Sequence, residues 1–125
     1  MQMRPLLITG LLLFGGAALA QDPQLEPLSG DFYVGPSVEA QTDGNATAPK
    51  DHYFVTLKGD SAKAMYEALN VEEVEDECVG RIAKWGNGLV CYGPKNGDGS
   101  TPDPLYECNF SINLKNQSLE LGEDC

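Results

Sequence analysis

Tyr106-Glu107-Cys108-Asn109-Phe110-Ser111-Ile112-Asn113-Leu114 decides the fold class of this chain. Tyr106, Cys108, Phe110, Ile112 and Leu114 alternate with Glu107, Asn109, Ser111 and Asn113. Side chains of a strand point to opposite faces in turn, so this stretch predicts a strand with one apolar, buried side and one polar side. On its C-terminal side, Lys115-Asn116-Gln117-Ser118 reads as a turn, and residues 119–121 predict a further short strand.

Working back toward the N-terminus, residues 93–104 are rich in Gly, Pro, Asn and Asp and read as a loop. Before it stand Leu89-Val90-Cys91-Tyr92 and Arg81-Ile82-Ala83-Lys84-Trp85, two strands separated by Gly86-Asn87-Gly88. Asn-Gly accepts the positive φ of a tight turn and is a strong hairpin signal. Residues 52–58, His-Tyr-Phe-Val-Thr-Leu-Lys, are dense in β-branched and aromatic side chains and predict another strand, ended by Gly59. Asp60 or Ser61 then supplies a helix cap, and Ala62, Met65, Tyr66 and Leu69 form one apolar stripe at helical spacing.

The resulting order predicts an α+β domain over residues 51–125: a small antiparallel sheet of four to five strands with one amphipathic helix (β-α-β-β-β), stapled by disulfides. Residues 21–50 hold Pro23, Pro27, Pro36, Pro49 and several polar residues, and are expected to be a largely disordered linker. Asp31-Phe32-Tyr33-Val34 is the one compact apolar cluster there, suited to a short strand or docking element.

Residues 1–20 have the order of a secretory signal: Arg4, an apolar run over residues 6–14, then Ala18-Leu19-Ala20 before Gln21, with cleavage expected after Ala20. The run is short for a bilayer span, which needs about 20 apolar residues. Residues 1–20 contain one basic and no acidic residue, so their removal carries the net charge from −11 to −12. Such a field repels nucleic acid and anionic lipid and favours cationic partners or divalent ions. The expected address is the periplasm or the secreted medium, with no membrane association after cleavage.

Cys78, Cys91, Cys108 and Cys125 are spaced by 13, 17 and 17 residues, without a C-x-x-C. An even number of cysteines in a small exported chain predicts two disulfides, with three connectivities open. A symmetric hairpin about residues 93–104 sets Cys91 opposite Cys108 and leaves Cys78 for Cys125.

Candidate chemistry is sparse. His52 is the only histidine and opens a strand on the face opposite Tyr53, Val55 and Leu57, so an exposed position is expected. No G-x-S-x-G elbow and no phosphate-cradling loop occur. Asn96, Asp98, Ser100 and Glu107 fall at calcium-loop positions, but Thr101 stands where the required Gly belongs, so no metal and no cofactor are expected. Glu72, Glu73, Glu75, Asp76 and Glu77 form an acidic run. It reads either as a solvated connector after the helix or as a patch that steers a basic protein. Three N-x-S/T sites, at Asn45, Asn109 and Asn116, bear on glycosylation in a eukaryotic source only.

Asp76-Glu77-Cys78, Gly88-Leu89-Val90-Cys91-Tyr92 and the strand at residues 106–114 resemble small exported bacterial domains of no assigned activity. The resemblance covers about 40 residues through its cysteine and aromatic spacing. It implies a periplasmic address and lends no catalytic residue. The expected function is a non-enzymatic exported binding domain recognising a cationic protein. The alternatives are a small envelope hydrolase that uses carboxylates and a structural envelope component.

Overall fold

The computed structural model describes residues 23–101 and 105–123. The expected signal segment, Pro102, Pro104 and Cys125 lie outside the described residues. Seven strands and two helices follow in the order β1 (Gly30–Gly35), α1 (Val38–Thr42), β2 (His52–Lys58), α2 (Gly59–Ala68), β3 (Glu73–Asp76), β4 (Arg81–Gly86), β5 (Leu89–Asn96), β6 (Glu107–Asn113) and β7 (Ser118–Glu120). They form one antiparallel sheet in the order β1-β2-β6-β5-β4-β3, with β7 also on β6. The sheet therefore exceeds the expected four to five strands, and a second helix is present.

β6 is a central strand. It pairs with all of β2 on one side; on the other, residues 107–110 meet β5 and residues 111–113 meet β7. β4 and β5 are joined by the expected Asn87-Gly88 turn. Gly88 has φ +89° there, and a Cβ on it would stand 2.8 Å from the Glu120 backbone N–H and the Leu119 carbonyl, so this turn closes against β7. β5 runs on through Pro94, into what the sequence reads as loop, and pairs with β4 across a register shift between Arg81 and Ala83. A proline fits a strand at such an irregularity, where its missing N–H breaks no ladder bond.

One level of the sheet carries the larger core cluster, while Ala83, Val90 and Tyr92 form a second one on the opposite face. Glu73, Lys84, Cys91, Cys108, Leu57 and Gly30 stand side by side across six strands. α2 lies over that level, packing Ala62 and Tyr66 on Leu57, Cys91 and Cys108, with Val55, Met65, Leu69, Tyr106 and Phe110 around them. The two cysteines are bonded to each other, with Cα atoms 4.0 Å apart. The cross-strand pairing expected from a symmetric hairpin is thus observed. Cys78 is also disulfide-bonded; the expected partner, Cys125, is outside the described residues.

Three local expectations change. Neither Asp60 nor Ser61 caps α2: the helix starts at Gly59 with no side-chain cap. Ser61 instead accepts from the Ser29 N–H (2.7 Å) and donates to the Pro27 carbonyl (3.4 Å), tying the preceding segment to the first helical turn. At the other end, where α2 has no basic residue of its own, Lys84 reaches up from β4 to the Tyr66 and Leu69 carbonyls at 2.8 and 3.1 Å. That satisfies carbonyls which a helix C-terminus leaves open, and places a cation at the negative end of its dipole.

The segment read as a linker over 21–50 holds β1 and α1. β1 gains its order from β2, with Phe32 stacked on Tyr53 (5.1 Å) and Tyr33 on Phe54 (4.5 Å). Ser37 caps α1 by accepting from the Ala40 N–H. The acidic run is not a connector either. Residues 73–76 form edge strand β3, held by pairing with β4.

Candidate functional site

The polar face of β6 is not solvated. After β7 the chain folds back over it, so that Ser111 donates to the Glu120 and Leu121 carbonyls (3.3 and 3.1 Å) and Asn109 to the Glu123 carboxylate (2.7 Å). Ser111 and Asn109 are buried as a result, and so is His52 beside them, only 4% exposed. This corrects the expectation of an exposed edge histidine. The face opposite Tyr53 and Leu57 is an interior face because residues 120–123 cover it.

His52 sits between two carboxylates. Nδ1 lies 2.7 Å from Asp51 and Nε2 lies 2.7 Å from Glu120, whose second oxygen accepts from Asn113 at 2.9 Å. Burial alone lowers the His52 pKa, but the hydrogen bonds to Glu120 and Asp51 outweigh it and hold it above the usual 6.5. The Asn113 amide first, and His52 second, hold Glu120 below the ordinary carboxylate value. Both ring nitrogens are engaged by carboxylates of the chain itself, and the buried ring presents neither of them to a pocket. The cluster is therefore a latch between β2 and β7 rather than a general base.

The latch predicts a stability maximum. A raised His52 pKa adds stability that is complete below 6.5 and disappears as pH rises through the folded value. A lowered Glu120 pKa adds stability that is present above 4.5 and lost on acidification. Urea midpoints are expected to peak between these limits. His52→Gln costs about 1–2 kcal/mol near pH 6, and the deficit shrinks as pH rises. A deficit independent of pH from 5 to 9 removes the imidazolium from this account.

The acidic run is divided by strand alternation. Glu73 and Glu75 share the α2 face, where Glu73 accepts from the Tyr66 hydroxyl and the Glu75 carboxylate lies over Gly97. Burial first and the Glu73 carboxylate second push the Tyr66 pKa upward. Asp76 points to the other face and is 7% exposed, accepting from the Cys78 N–H (2.9 Å) and the Tyr92 hydroxyl (3.3 Å). Glu72 and Glu77 flank the strand and are exposed. The structure thus leaves Glu72, Glu75 and Glu77 exposed and commits Glu73 and Asp76 to hydrogen bonds within the fold.

Asp76 and Glu123 share a recess of about 70 Å³ with Trp85, Val90 and Tyr92. Burial and then the Glu107 charge raise the Glu123 pKa. Two carboxylates near one recess is what a carboxylate hydrolase needs, but substrate pockets usually occupy about 300–1,000 Å³. Asp76 is also taken by Tyr92 and the Cys78 N–H. A larger groove, about 650 Å³, runs between residues 26–29 and α2. It is broad and open, with Glu26, Asp60, Lys63 and Glu67 along it, and it holds no buried acid.

No protein-family model, curated protein or solved structure matches the chain. At the calcium-like loop, Asn96 donates to the Ser100 hydroxyl (2.7 Å) and Asp98 accepts from the Ser100 N–H (2.9 Å). That hydrogen bond lowers the Asp98 pKa. These side chains close their own turn. Among the described residues no helix is long and apolar enough to cross a membrane.

His52 as an interior group and Lys84 as a helix cap are the residues that sequence reasoning missed. A signal for the first existed. If residues 119–121 return antiparallel to β6 after a four-residue turn, Glu120 falls beside Ser111 and within reach of Asn113 and the start of β2.

Proposed function

We propose that this chain is an exported, non-enzymatic binding domain that takes an extended cationic segment of a partner protein along the free edge of β3. The observation that carries this reading is the position of β3. It ends the sheet, so among the described residues no strand pairs with its outer side, and Glu72, Glu75 and Glu77 stand exposed along it. An unpaired edge offers backbone donors and acceptors to an added strand, and alternate side chains give such binding its specificity. Carboxylates on that edge select Lys- and Arg-bearing strands and repel acidic ones. The exported address is supported by the buried Cys91–Cys108 bond, since disulfides persist in oxidising compartments.

The test is titration of the chain, with its natural N-terminus, against an alternating Lys/Val peptide. Binding is expected at low salt and to weaken steeply as salt rises, because exposed charges are screened. The combined Glu72→Lys, Glu75→Lys and Glu77→Lys variant is expected to bind roughly three- to 150-fold more weakly, each exposed pair contributing about 0.2–1 kcal/mol. Binding that survives both high salt and the charge reversal excludes this edge as the site.

A further inference from the structure

We propose that two copies of this chain join edge to edge through β1, forming a two-fold dimer in which the sheet is continuous. β1 closes the opposite end of the sheet from β3, and among the described residues no strand pairs with its outer side. It follows β2 through all six residues without a register shift. Phe32, Tyr33 and Val34 on it are 65%, 50% and 46% exposed.

Natural edge strands are guarded by charges, prolines or bulges, because an open apolar edge templates pairing with another chain. β3 is guarded by its glutamates. β1 has no lysine, proline or bulge, and its one charge, Asp31, is met by Lys58 at 3.0 Å. The apolar character also extends inward from it. Val34, Tyr53, Ile112 and Leu119 stand at one level across β1, β2, β6 and β7, on the face that bears α2. Exposed apolar patches of this kind mark association sites on soluble proteins.

A second copy is compatible with this edge and not with β3. The chain carries −11, so two copies repel each other wherever their acids meet. A two-fold axis through Tyr33 sets Phe32 against Val34 of the second copy and Asp31 against Gly35, so no like charges face each other. The same operation at β3 brings carboxylates together on any axis: Glu75 on Glu75, or Glu73 on Glu75. The interface so formed is self-complementary, as two-fold symmetry requires. Aromatic side chains bury about 150–250 Å² each, so covering the exposed parts of Phe32 and Tyr33 in both copies removes roughly 450 Å² of ring surface from water. That is the scale of a small, reversible interface rather than an obligate one.

The experiment is sedimentation of the chain, with its natural N-terminus, from about 1 µM to about 1 mM, the range over which small interfaces form. The mean mass is expected to rise toward twice that of one chain, and to rise further when salt screens the acidic surfaces. That salt response is opposite to the one expected for the cationic peptide, so the two readings fail separately. Val34→Lys is expected to weaken the dimer at least tenfold while the diluted variant melts like the wild-type monomer. Backbone amides of residues 31–35 are expected to exchange more slowly at the high-concentration end. A chain that stays monomeric throughout, at low and high salt, overturns the proposal, as does a dimer that forms without slowing exchange in β1.

Discussion

Tyr66→Ala is expected to lower the unfolding free energy by about 3–5 kcal/mol, the range for removing a large aromatic side chain from a core. Tyr66 is buried and is where α2 meets the sheet. Its ring takes Tyr106 edge-on at 5.6 Å and the Lys84 ammonium at 4.4 Å over its face, and its tip lies where a Cβ on Gly93 would be, 2.8 Å from the hydroxyl oxygen. Truncation empties a space bounded by a backbone that resists collapse, because the cystine beneath is held in paired strands and the Gly93 carbonyl accepts from Arg81. It also loosens Lys84 from the last turn of α2, whose carbonyls that lysine satisfies. Tyr66→Phe separates packing from polarity. It keeps the ring and loses only the bond to Glu73, whose carboxylate is exposed and can turn to water, so it is expected to cost about 1 kcal/mol. Urea unfolding of the two variants checks the pair. A Tyr66→Ala loss no larger than that of Tyr66→Phe means that α2 is not anchored through this ring.

Tyr66 also shows which parts of the fold were legible in the sequence. Its place in an Ala62, Met65, Tyr66, Leu69 stripe is a local pattern, as are the alternation of β6, the apolar face of β2 and the Asn87-Gly88 turn. Each depends on neighbours in sequence and each was readable. β3 was not, and β1 was readable only as the apolar cluster 31–34 suited to a short strand or docking element, because the order of both comes from pairing. Glutamate has low strand propensity, and Glu73-Val74-Glu75-Asp76 becomes a strand because β4 supplies a complete edge, with Glu73 opposite Lys84 and Asp76 opposite Arg81. Phe32, Tyr33 and Val34 stood out as apolar, but the prolines and polar residues around them implied a chain unable to offset its ordering entropy. The ring stacks on Tyr53 and Phe54, more than 15 residues away, reverse that balance. The interior position of His52 was hidden for a related reason. Strand alternation tells which residues share a face, and not whether a distant segment covers it. Here Leu121 and Glu123 do.

The Cys91–Cys108 bond gives the second large effect. A cross-link spanning 17 residues removes unfolded-state entropy worth about 3 kcal/mol in the chain-entropy model. The double variant Cys91→Ala, Cys108→Ala is expected to lose at least that much, since both residues are fully buried under Ala62 and Tyr66 and the missing sulfurs leave a void at the centre of the sheet. Small domains have about 5–15 kcal/mol in total, so the loss removes a large fraction of the stability. Burial adds a kinetic consequence. A thiolate reductant cannot reach sulfurs beneath α2, so in native buffer this bond should be reduced only as fast as the sheet opens, whereas a few molar urea should make reduction fast. Measuring unfolding of the double variant tests the energetics, and comparing reduction rates with and without urea tests the burial. A variant with the wild-type midpoint contradicts the first. Rapid reduction of Cys91–Cys108 in the folded chain contradicts the second.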